Sequence, residues 1–99
     1  MLFVFHLLDR PGMQELRQQV RPVHKDYLAK VALQIAFAGP LLAEDSKTMC
    51  GSLLVIDFPS LADAKLWLRG EPFTQAGIYE DISVHAFTNL WPQKIGFPV

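Results

Sequence analysis

A run of aromatic and aliphatic residues, Leu2-Phe3-Val4-Phe5-His6-Leu7-Leu8, opens the chain and stops at the turn signal Asp9-Arg10-Pro11-Gly12. It is too short for a membrane-crossing helix and has the length and composition of a strand buried on both faces. A strand of that kind belongs inside a sheet, so the chain must supply strands to flank it and layers to cover it. Leu2, Val4, His6 and Leu8 share one face, and Phe3, Phe5 and Leu7 the other. His6, alone among apolar neighbours, reads as a structural residue with one hydrogen bond.

The remaining segments supply those elements. Met13 to Val20 is helical in pattern, and Pro22 removes the donor that would bond the Gln18 carbonyl, so a second helical run is expected to start at Pro22 and reach about Leu33. Ile35 to Leu42 is an apolar strand expected to kink at Gly39-Pro40. A polar loop, Glu44 to Lys47, joins it to the strand Gly51 to Phe58. Ser60 stands three residues ahead of Asp63 and caps a helix with apolar stripe Leu61, Ala64 and Leu68, ended by Gly70. Glu71 to Gly77 is a short connection, and Ile78 to Phe87 alternates as a last strand. The order strand, helix, two strands, helix, strand predicts an α+β fold. It is a ferredoxin-like βαββαβ antiparallel sheet with two helices on one face. Residues 1–99 read as one domain, with a core over 1–88 and an apolar tail, Asn89 to Val99, in which Trp91, Ile95 and Phe97 are expected to pack on the domain or on a second copy.

Hydrophobic residues make up 51% of the chain, more than one small core needs, so a homodimer covering the open sheet face is the expected assembly. Net charge is −1 without a Lys/Arg run, which argues against nucleic acid as a partner. Cys50 is the single cysteine, and no basic leader or membrane span precedes the first strand, so a cytoplasmic, soluble protein is expected. Phosphate-binding loops, a nucleophile elbow and a C-x-x-C motif are missing, which disfavours nucleotide and disulfide chemistry, and His6, His24 and His85 lack metal-ligand spacing, so no metal is expected.

Chemistry centres on Arg21-Pro22-Val23-His24-Lys25-Asp26-Tyr27-Leu28. On a helical period Val20, His24, Tyr27, Leu28 and Val31 share one side, so His24 faces inward and needs a partner or a cavity. Arg17, Arg21 and Lys25 form a ridge at i, i+4 and i+8, read as a solvated face rather than an anion site. Asp45 beyond the Gly39-Pro40 bend is the candidate partner for His24, which would make an acid–base pair with Ser52 nearby. The alternative is a histidine satisfied by a backbone carbonyl, with Asp45 an ordinary loop residue.

Five pieces resemble, in order, the YciI-like (YCII-related) family of the dimeric α+β barrel superfamily. They are Arg21-Pro22-x-His24-x-x-Tyr27-Leu28, Ala38-Gly39-Pro40-Leu41 followed by Asp45, Gly51-Ser52-Leu53-Leu54, Ser60-Leu61-x-x-Ala64, and Glu71-Pro72-Phe73-x-x-Ala76-Gly77-Ile78-Tyr79. The resemblance implies a dimeric α+β barrel and a pocket holding a His–Asp pair at His24 and Asp45. It further implies substrate contacts from Tyr27, Gly39, Pro40, Ser52 and Glu71, and no cofactor. It also implies proton-transfer chemistry of isomerase, lyase or dehydrochlorinase type on a small cyclic or aromatic oxygenated molecule. The chain departs from the family in having Glu71 where Asp is usual, a shorter stretch between His24 and Gly39, and a longer tail. A non-catalytic module that binds a small ligand or a partner is the competing reading.

Overall fold

The computed structural model describes residues 1–96. Its elements are β1 (Leu2–Asp9), α1 (Gln14–Ala29), a 3-10 turn (Ala32–Gln34), β2 (Ile35–Leu42), β3 (Met49–Asp57), α2 (Leu61–Arg69), α3 (Pro72–Gln75) and β4 (Tyr79–Phe87). The strands form one antiparallel sheet in the order β2-β3-β1-β4. The expected central position of β1 is therefore correct: it pairs with β3 on one side and β4 on the other.

Alternation along the strands sorts the two faces. Phe3, Phe5 and Leu7 of β1, Leu54 and Ile56 of β3, and Ala64 and Leu68 of α2 make the core under the helices. Phe73, Ile78 and Tyr79 extend it beneath α3. Each fully buried large side chain among these contributes about 1.5–3 kcal/mol. The opposite face carries Leu2, Val4, Leu53, Val55 and Phe37, and no element of the described chain lies across it except part of the tail. Gly51 is required at the β1–β3 contact, because a Cβ there would collide with the Leu7 carbonyl.

Two local expectations are corrected. Helix α1 runs unbroken through Pro22 and ends at Ala29, short of Leu33. Its inward face, with Arg17 and His24 buried, is held by tertiary contacts on both sides of the proline, and these outweigh the single forgone backbone bond. Strand β2 does not break register at Gly39-Pro40, which pair with Leu53 and Ser52; the irregularities lie at Ile35/Phe37 and Leu41/Leu42. Pro40 is tolerated because β2 is an edge strand. The cap of α2 is as expected, with Ser60 Oγ accepting from the Asp63 amide at 3.1 Å.

In the tail, Leu90 and Trp91 are 84% exposed and Ile95 is 95% exposed, so these side chains do not bury on their own domain. Phe97 lies outside the described residues. No helix among the described residues is long and apolar enough to cross a membrane.

Candidate active site

The inward face of α1 meets the short α3 helix, and this junction joins His24 to Glu71. His24 is 9% exposed, and its ring stacks on Phe73 with centroids 3.9 Å apart and planes 3° from parallel. Nδ1 of His24 is hydrogen-bonded to Oε1 of Glu71, a carboxylate with no exposed surface. The other oxygen, Oε2, caps α3 by accepting from the Thr74 amide at 3.2 Å and the Thr74 hydroxyl at 3.5 Å. A carboxylate only accepts, so in the neutral ring the proton sits on Nδ1 and the lone pair on Nε2. No described residue bonds Nε2, and His24 lines a cavity of about 190 Å³ between α1 and the β2–β3 hairpin.

Arg17, Arg21 and Lys25 of α1 line the same cavity, as do Gly39 and Pro40 of β2 and Ser52 of β3. The lining is cationic, with no carboxylate in its wall. Arg17 is only 4% exposed and is anchored in several directions. Nε donates to Asp9 Oδ2 at 2.9 Å, and Nη2 donates to the Gly51 carbonyl and to Ser52 Oγ, both at 2.6 Å. Its guanidinium carbon stands 4.6 Å over the Phe73 ring. Asp9 is buried beside it, with Oδ1 lacking a partner among the described residues. Burial raises the Asp9 carboxyl above its ordinary value, against the opposing pull of the Arg17 charge and hydrogen bond. Tyr79 donates to Ser52 Oγ at 3.3 Å, and burial together with the Glu71 charge pushes its phenol far above the usual range.

The partner assigned to His24 from sequence is corrected. Asp45 is exposed and spends its carboxylate on its own loop, accepting from the Lys47 and Thr48 amides at 2.9 Å each and from the Thr48 hydroxyl at 2.5 Å. Those bonds hold its carboxyl below the ordinary value. Tyr27 is also displaced from the expected role: its hydroxyl donates to the Trp67 carbonyl at 2.7 Å, and it does not line the cavity. Burial and the Glu71 charge raise its phenol above the ordinary value. A Cβ at Gly70 would come within 2.8 Å of that hydroxyl, so the glycine makes room for it. Glu71 stands behind His24 and not in the cavity wall.

The solvated ridge expected of Arg17, Arg21 and Lys25 is corrected at Arg17, which is buried, and neither Asp9 nor Tyr79 stood among the expected site residues. Arg17 had a readable signal, since it lies seven residues before His24 and so on the same helical face. His6 and His85 belong to strand faces turned away from the helices, as their pairing with Leu53 and Val4 requires. Among the described residues no group of three or more His, Cys, Asp or Glu converges to hold a metal ion.

The YCII-related domain family matches this chain over residues 1–88. The chain belongs to that family. Among YCII-related proteins it is 34% identical to protein YciI of Escherichia coli O6:H1 over 101 residues, covering 92% of this chain and 100% of the relative. An uncharacterised protein of Haemophilus influenzae is 30% identical over 98 residues, with the same coverage. A solved structure superposes with a TM-score of 0.82 at 29% identity, over 89% of this chain and 94% of the other. That protein is the 5-chloro-2-hydroxyhydroquinone dehydrochlorinase TftG of Burkholderia phenoliruptrix AC1100, in complex with 2,5-dihydroxybenzoquinone. The match joins this α+β fold to an enzyme acting on a small molecule.

Proposed function

We propose that this protein is a small-molecule enzyme that moves a proton on a cyclic, oxygenated, anionic substrate, with His24 as the acid–base group and Glu71 as its orienting carboxylate. The observation that carries the reading is the buried hydrogen bond from His24 Nδ1 to Glu71, which leaves Nε2 lone-pair-first beside a cationic cavity. Nε2 takes a proton from the substrate, and Glu71 offsets the charge that develops on the imidazolium. Arg17, Arg21 and Lys25 favour an anion in the cavity, and Ser52 reaches its oxygen. Gly39 and Pro40 form the facing wall and set how thick a ring can enter. Return of the proton at another atom gives an isomerisation, and departure of a β-leaving group such as chloride gives an elimination. The dehydrochlorinase relative supports the second outcome.

Chloride release from 5-chloro-2-hydroxyhydroquinone, followed beside a panel of lactones and quinols, tests the reading. His24→Ala is expected to lower the rate about 10²–10⁴-fold, the range for losing a positioned acid–base group. A wild-type protein that binds these compounds yet turns none over would make it a binding module instead.

We also propose that a second copy covers the open face of the sheet, where Phe37 is 55% exposed, Phe87 44% and Leu53 37%. Apolar side chains gathered on one face are costly to leave in water. Such a homodimer has an apparent mass near twice 11.2 kDa in light scattering, and a monomer at micromolar concentration would contradict it. The single thiol, Cys50, suits a cytoplasmic setting.

A further inference from the structure

The hydrogen bonds made to Ser52 limit what the cavity can hold beside it. Ser52 is 2% exposed, and its Oγ accepts from Arg17 Nη2 at 2.6 Å and from the Tyr79 hydroxyl at 3.3 Å. A serine hydroxyl has one proton and two lone pairs, so both acceptor sites are occupied. Arg17 can only donate. Tyr79 is 5% exposed and has no other acceptor in reach among the described residues, so its proton goes to Ser52. Burial keeps that phenol protonated, so it retains the proton that it gives to Ser52. The Ser52 proton is donated to no described residue, and Ser52 lines the cavity beside His24.

We infer that Arg17 and Tyr79 lock Ser52 as a one-way hydrogen-bond donor into the cavity, so that the site prefers a substrate presenting an unprotonated oxygen, a keto or enolate oxygen, over one presenting a hydroxyl at that place. Ser52 is then the specificity-determining residue, and Tyr79 is a positioning residue that acts through it. A ligand hydroxyl facing Ser52 can accept that proton too, but it is a weaker acceptor than an ionised oxygen and its own proton finds no lone pair free on Ser52. The inference rests on the reading of this cavity as a substrate site but does not need turnover, so it is tested by binding alone.

Calorimetric titration with two probes measures it: 2,5-dihydroxybenzoquinone, which is ionised near neutral pH, and hydroquinone, whose oxygens both carry protons. The wild type is expected to prefer the quinone by about tenfold or more, the scale of one hydrogen bond to a charged group. Tyr79→Phe frees one lone pair on Ser52, which can then accept from a hydroxyl, so the preference should narrow through a gain in hydroquinone binding. Ser52→Ala should narrow it through a loss of quinone binding. Overall weakening from a packing defect lowers both affinities together and leaves their ratio alone. An unchanged ratio in Tyr79→Phe, or failure of the wild type to bind the quinone, would overturn the inference. If the ratio shifts as stated while no chlorinated or lactone compound is turned over, the donor lock stands and the proton-transfer reading fails.

Discussion

Two carboxylates in this chain make the same local motif and end in opposite circumstances. Asp45 accepts from the amide and hydroxyl of Thr48, and Glu71 accepts from the amide and hydroxyl of Thr74, each three residues on. At Asp45 both oxygens are consumed within the loop, in full contact with water. At Glu71 a single oxygen suffices for the cap, and the carboxylate is buried, so Oε1 must find a donor elsewhere. His24 is that donor. A capping carboxylate becomes part of a site when burial leaves one of its oxygens without water.

The largest effect is expected from removing the charge at Glu71. Glu71→Gln can keep its carbonyl on the Thr74 amide, but it loses the anion that supports an imidazolium. Turnover should fall about 10²–10⁴-fold, as for loss of the acid–base group itself. Glu71→Ala also leaves His24 Nδ1 buried without an acceptor and should lower stability by about 1–3 kcal/mol in urea unfolding. Wild-type turnover in Glu71→Gln would remove the carboxylate from the mechanism.

Asp45→Asn sharpens the contrast from the other side. Turnover should be unchanged, and stability should fall slightly at neutral pH. The folded carboxyl lies below its ordinary value, so its contribution is present above the unfolded pKa of about 3.9 and is lost as pH falls through the folded one. Wild type and variant should therefore converge in strong acid, which unfolding curves across pH can follow. Thr48→Val is the smallest expected change. It removes the largest of the influences depressing the Asp45 carboxyl, and NMR titration should find that group nearer its ordinary value with turnover intact.

The elements were legible because each declares itself locally: the alternation of Ile82, Val84 and Ala86 in β4, the Ser60–Asp63 cap of α2, and the apolar run of β1. The inward aim of His24 was legible for the same reason, as one helical period contains it. Its partner was not, because Glu71 is 47 residues away and nothing in the spacing of E-x-x-T distinguishes it from D-x-x-T at Asp45. Burial makes that distinction, and burial is a property of the assembled layers. Arg17 was hidden differently. Its helical spacing with Arg21 and Lys25 fits a solvated ridge, and only the arrival of Asp9, Gly51 and Ser52 from β1 and β3 turns it into a buried cation. Pro22 misled because the local cost of a proline inside a helix is real and is overridden here by contacts on either side.

If Glu71 orients the His24 ring, the neutral imidazole holds its proton on Nδ1 and its lone pair at the cavity. Proton and nitrogen NMR of the His24 imidazole, in the wild type and in Glu71→Gln, tests this most directly. A strongly deshielded proton on Nδ1 is expected in the wild type, moving or disappearing in the variant, with Nε2 unprotonated in the neutral ring. A neutral wild-type ring carrying its proton on Nε2, or identical imidazole spectra in the two proteins, would contradict it.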